Sequence, residues 1–100
     1  MTNDKKEAIC LDAGLHIEFN GGNYSEWYAG ITGDSYQRLY VDHKVDQGTN
    51  LPKSWNCGDE DTARAVEKEF LSRGCEGGGG GGTGDARFFY IYRMSSETKP

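Results

Sequence analysis

Paired cysteines, basic charge and long apolar runs are all scarce in this chain, and each scarcity removes a class of protein. Cys10, Cys57 and Cys75 are an odd number with no close pair, so a reduced, cytoplasmic setting is the simplest expectation. A zinc site would have to draw on Cys10, His16, His43, Cys57 and Cys75 without a C-x-x-C or H-x-x-x-H unit, which structural zinc sites usually contain. No apolar run stands behind the opening Met1-Thr-Asn-Asp-Lys-Lys-Glu7, so neither a secretory signal nor a membrane span is expected. The net charge is −5. Between Ser35 and Cys75, Arg38, Lys44, Lys53, Arg64, Lys68 and Arg73 face Asp42, Asp46, Asp59, Glu60, Asp61, Glu67 and Glu69. That balance leaves no basic stripe of the kind that grips many phosphates, so any affinity for nucleic acid has to come from a local cluster, a metal ion or a partner.

At 100 residues, 35% of them hydrophobic, the chain suits one domain with a modest core. Residues 1–7 are polar and expected to fray. Leu15-His-Ile-Glu-Phe19 alternates as a half-buried strand does. Asn20-Gly-Gly-Asn23 reads as a turn, and Glu26-Trp-Tyr-Ala-Gly-Ile31 resumes in aromatic and β-branched residues, so residues 14–31 are expected to form an antiparallel hairpin. Gly30 and Gly33 permit close approach at the strand exit, and Asp34 or Ser35 can cap a helix over 35–44. On it Tyr36, Leu39, Tyr40 and His43 share a face. Residues 45–52 are loop, and a short third strand is expected over Lys53–Cys57.

Gly58-Asp-Glu-Asp-Thr62 starts a helix that runs from Ala63 to Arg73 and stops at Gly74. At about 100° per residue, Ala63, Val66, Glu67 and Phe70 point inward. Six consecutive glycines, Gly77–Gly82, lack a following Gly-Lys-Ser or Gly-Lys-Thr and are no Walker loop. A flexible linker is the plain reading of the 74–84 segment, and a mobile lip over an active face the functional one. Arg87–Met94 reads as a strand with Phe89, Ile91 and Arg93 on one side and Phe88, Tyr90 and Tyr92 on the other. If it lies at an edge it can pair with a second copy, giving a weak homodimer in place of a monomer. Residues 95–100 read as a frayed tail.

Gly14-Leu15-His16, then eleven residues, then Tyr28-Ala29-Gly30, with Arg38 eight residues after Gly30, His43 beyond it and Glu67 in the second helix, resembles the GIY-YIG nuclease pattern over residues 14–73. The resemblance implies an α+β fold, a small antiparallel sheet flanked by helices, to which the C-terminal strand is an addition. It also implies a DNA endonuclease or, alternatively, a catalytically silent domain that binds a protein or nucleic-acid partner. In the family's reaction water attacks a phosphodiester in line. The resemblance gives Glu67 one divalent cation (Mg²⁺ or Mn²⁺), Arg38 the phosphate and Tyr28 the water, with His16 standing where the family has a tyrosine. These residue types suit those tasks. A carboxylate suits Mg²⁺, a guanidinium spans two phosphate oxygens, and an imidazole titrates near neutrality.

Each residue also has a plain structural reading. Tyr28 can pack the sheet, Arg38 can be a solvated helix residue, His43 a hydrogen-bonded residue at the core edge, and Glu67 one half of an ion pair. Asp42 occupies the place four residues after Arg38, where the family often has its histidine. In a regular helix, Arg38 and His43 stand about 140° apart and reach one site only across a bulge or a late helix start.

Overall fold

A computed structural model describes residues 4–77 and 86–99. Most of the glycine run, with both readings attached to it, lies outside the described residues. The first element is a helix, α1 (Asp4–Phe19), where fraying and then a strand were expected. Its buried residues are Ile9, Cys10, Ala13, Gly14 and Ile17, a helical spacing that becomes visible only when residues 9–17 are read together. The five-residue alternation at Leu15–Phe19 was misleading: Ile17 is buried, while Phe19 is 83% exposed. Asn20-Gly21-Gly22 ends this helix and does not turn a hairpin. Gly21 and Gly22 take positive φ (113° and 73°), and the Gly22 N–H reaches back to the Ile17 carbonyl at 2.9 Å, as helix-terminating glycines do.

Strand β1 (Trp27–Thr32) follows a single 3₁₀ turn. Further on come β2 (Lys53–Asn56), helix α2 (Glu60–Ser72) and strand β3 (Phe88–Arg93), all close to their expected places. Asp59 caps α2 by accepting from the Thr62 N–H at 2.7 Å, and Gly74 closes the helix with φ 117°. The three strands form one antiparallel sheet in the order β1-β3-β2. The fold is thus α+β. β3 is not the edge strand through which a homodimer was expected to form. It is central, paired on both sides, and takes the place beside β1 that the hairpin's first strand was expected to fill. The outer edge of β1 is covered in turn by Glu76, whose N–H and C=O bond to Trp27 and Ala29 at 2.9 and 2.8 Å.

Strand alternation divides the interior in two. Trp27, Ala29, Ile31, Phe89 and Ile91 face α1 and α2, meeting Ile17, Ala63, Val66 and Phe70. Tyr28, Tyr90 and Tyr92 face the other way, onto Leu39 and Val45. Segment 95–99 is likewise ordered against the protein, correcting the frayed tail: Thr98 is buried and its N–H bonds to the Ser95 carbonyl. Among the described residues no helix is long and apolar enough to cross a membrane.

Phe70 is fully buried and packs tilted against Phe89 at 5.3 Å between ring centroids. Phe70→Ala is expected to cost about 3–5 kcal/mol in urea unfolding, the usual cost of emptying a phenylalanine site. A loss under about 1 kcal/mol would mean that α2 does not pack on the sheet this way.

Candidate functional site

The face opposite the helices gathers four of the residues that carry chemistry. Tyr28 leaves β1 on that side and stacks on Tyr92 with centroids 5.3 Å apart and planes 18° apart. Tyr90 also stacks on it, at 6.3 Å. Directly across the ladder from Tyr90 stands Gly30. A Cβ on Gly30 would lie 2.5 Å from the Tyr90 hydroxyl oxygen and 2.6 Å from its Cζ. The phenol therefore lies over bare backbone, the close approach that glycine permits within a strand.

Between β1 and β2 the chain winds as a π-helix over Gln37–Asp42. The His43 N–H bonds to the Arg38 carbonyl at 2.9 Å, so the turn closes over five residues. That wider turn resolves the mismatch expected of a regular helix, since residues five apart return to nearly one side. Arg38 and His43 both reach Tyr90. His43 Nε2 lies 2.7 Å from the Tyr90 hydroxyl. The Arg38 guanidinium lies against the same hydroxyl, which, with Asp42 3.2 Å away, raises the arginine's pKa further. The expected common face of Tyr36, Leu39, Tyr40 and His43 is split by the same winding: Leu39 and His43 are buried, whereas Tyr36 is 70% exposed.

His43 also contacts the Lys99 carbonyl through Nδ1, and the Tyr92 hydroxyl is 3.1 Å from the same nitrogen. Burial lowers the His43 pKa below its ordinary value; the Lys99 carbonyl partly opposes this, and the nearby Arg38 charge adds to the lowering. The ring is thus held neutral at neutral pH. Burial drives the Tyr90 and Tyr92 phenols the other way, well above the ordinary tyrosine range, although Arg38 partly opposes this at Tyr90. The resting cluster is an arginine cation beside two protonated phenols and a neutral imidazole.

Glu67 is 7% exposed on α2. Loss of solvent raises its carboxyl pKa, and Arg64 partly offsets that, although the Arg64 guanidinium is itself engaged by Glu60 at 2.8 Å. The charge on Glu67 is near enough to contribute to the raised pKa of Tyr90. Glu67 also borders an open cleft of about 450 Å³ with Asp61, Arg64, Ala65, Lys68 and Leu71. Tyr28, Arg38 and His43 take no part in lining it. Among the described residues no three His, Cys, Asp or Glu side chains stand close enough to enclose a metal ion.

His16 does not belong to this cluster, contrary to the role its position suggested. It lies on α1, its Nε2 2.8 Å from the Leu51 carbonyl and its ring edge-on to Trp27 at 5.4 Å. That is the opposite side of the sheet from Tyr28. The residues that the sequence did not identify as site members are Tyr90 and Tyr92. Their shared side of β3 was legible, but nothing local told which strand β3 would join. No known protein family, curated protein or solved structure matches the chain.

Two consequences can be measured. Gly30→Ala is expected to destabilise the fold by about 1–3 kcal/mol through overpacking against Tyr90, and Tyr90→Phe is expected not to relieve this fully, because the ring carbons clash as well. For His43, the unfolded chain binds protons more readily than the folded one. Stability should therefore fall as pH drops through 6.5, the ordinary histidine value, and level off beneath the folded pKa. Urea titrations between about pH 7.5 and 5.5 should show this decline in the parent and not in His43→Gln. Glu67, with its raised pKa, acts in the opposite direction at lower pH, so an equal slope in both proteins would contradict a depressed His43.

Proposed function

We propose that the Tyr28–Arg38–His43–Tyr90 face binds a phosphodiester of DNA and hydrolyses it, on a rearranged GIY-YIG plan in which β3 supplies the strand beside β1. The observation that carries this reading is the meeting of Arg38 and His43 on one phenol hydroxyl beside Tyr28. In it Tyr90 takes the part that the resemblance had given to His16: a hydroxyl on the strand that pairs antiparallel with the strand of Tyr28.

The chemistry follows from the residues. Arg38, with its side chain 37% exposed, exchanges Asp42 for a phosphate and donates two hydrogen bonds to its oxygens, offsetting the charge that builds on them. Neutral His43 accepts the Tyr90 proton at Nε2 while Tyr90 takes one from the attacking water, so no free phenolate has to form at rest. Tyr28 orients the water. Glu67 would hold the divalent cation, and its carboxylate alone is compatible with Mg²⁺, which keeps several waters of its own. A buried carboxylate with a raised pKa fits this, because a cation compensates the desolvation. Held there, the cation would provide a bound water of lowered pKa and positive charge towards the phosphate.

A second reading, a domain that binds a nucleic-acid or protein partner without cleaving, is favoured by one observation. Tyr28, His43, Tyr90 and Tyr92 are each at most 5% exposed, so of this cluster Arg38 is the member with ready access to a ligand. Nicking of supercoiled and branched DNA with Mg²⁺ or Mn²⁺ separates the two. Arg38→Ala and Glu67→Gln are each expected to lose about 10²-fold or more in rate, and Tyr90→Phe to lose cleavage while retaining binding. Absence of cleavage by the parent, or equal cleavage by Glu67→Gln, would remove the hydrolytic reading. DNA retention that is lost in Arg38→Ala would then support the binding one.

A further inference from the structure

The segment after β3 makes two bonds to a single residue of the cluster. The Lys99 N–H donates to the His43 carbonyl at 2.8 Å, and the Lys99 carbonyl faces His43 Nδ1. A carbonyl oxygen only accepts, so the nitrogen opposite it carries the ring hydrogen. Since the ring is neutral, Nε2 is then a bare acceptor, and the Tyr90 hydroxyl 2.7 Å away must donate to it. Under that arrangement the Tyr90 oxygen keeps its lone pairs free to accept from the nearby Arg38 guanidinium.

The other tautomer has a partner ready. The Tyr92 hydroxyl stands 3.1 Å from Nδ1 and, as a hydroxyl, can donate as well as accept. With the Lys99 carbonyl gone, Tyr92 can donate to a bare Nδ1 while Nε2–H donates to Tyr90. The Tyr90 hydrogen would then turn away from His43, towards an anionic ligand held by Arg38, since the guanidinium itself only donates. The two hydroxyls are compatible with either tautomer; the carbonyl is compatible with one.

We propose that docking of segment 95–99 fixes the hydrogen-bond polarity of this site: the Lys99 carbonyl holds His43 as the Nδ1–H tautomer and so keeps the Tyr90 hydroxyl hydrogen pointed inward. Lys99 acts through its backbone as a positioning residue. The segment is itself anchored, because Asn50 donates to the Arg93 carbonyl at 2.9 Å and to Ser95 Oγ at 3.2 Å, and the Ser95 N–H bonds to Thr98 Oγ1 at 3.0 Å. The tautomer assignment holds whether or not the face hydrolyses phosphodiesters, and its test does not depend on activity.

Nitrogen NMR of ¹⁵N-labelled histidine distinguishes a protonated from a bare ring nitrogen, and His16→Gln leaves His43 as the single histidine. In the full chain the hydrogen is expected on Nδ1, with Tyr92→Phe leaving it there because Tyr92 only accepts beside the carbonyl. In a chain ending at Glu97 the Nε2–H to Nδ1–H ratio is expected to rise about fivefold or more, the factor that one net hydrogen bond supplies. Adding Tyr92→Phe to that shortened chain should reverse most of the rise. Nε2–H in the full chain, or an unchanged ratio in a shortened chain whose sheet amides retain their shifts, would overturn the proposal. Should the shortened chain fail to fold, the full-chain tautomer and the Tyr92→Phe comparison still decide it: a change of tautomer on Tyr92→Phe would assign control to Tyr92 instead.

Discussion

The ring of Tyr90 lies across the unadorned backbone of Gly30, and the rest of the site depends on that contact. It requires β3 to pair with β1 in the register that sets these two residues opposite each other. It requires glycine at position 30, since a methyl group there would overlap the ring. Once the phenol is laid down, its hydroxyl becomes the point where a guanidinium, an imidazole and the field of a buried carboxylate meet. Residues 30, 38, 43 and 90 are distant in sequence, and the central strand is what brings them together.

The π-helical turn is the second constraint. Five residues separate Arg38 from His43, and α-helical winding would send them to different sides. Winding that closes five residues on brings both to Tyr90, while leaving Tyr36 in solvent. Such a turn is rare and frequently marks a functional site. Here tertiary bonds support it. His43 is tied to Tyr90, Tyr92 and Lys99, and Val45 bonds back to the Leu39 carbonyl at 2.9 Å.

Much of this was legible in the chain, and the failures have physical causes. Trp27–Thr32 and Phe88–Arg93 announce themselves by β-branched and aromatic residues, and α2 by an inward stripe with an acidic start and a glycine stop. Leu15–Phe19 failed because five residues can satisfy a period of two by chance. The helix period becomes plain only with Ile9, Cys10 and Ala13 included. Asn20-Gly-Gly marked a real turn, but glycines with positive φ serve helix ends as well as hairpins. His16 was lost to the site with that strand. Tyr28, Arg38, His43 and Glu67 were singled out through the family resemblance, and the structure brings the first three together around Tyr90. Tyr90 and Tyr92 were not singled out, because strand order is a property of the whole sheet and leaves no local trace.

The account therefore depends most on β3 lying between the other two strands. Cross-strand nuclear Overhauser effects in the intact protein test that directly. Tyr90 should show backbone contacts with both Gly30 and Ser54, its partners on either side, while residues 14–19 show the sequential pattern of a helix. Contacts linking residues 14–19 to residues 27–32 as paired strands, with Tyr90 contacting one neighbour or none, would contradict it.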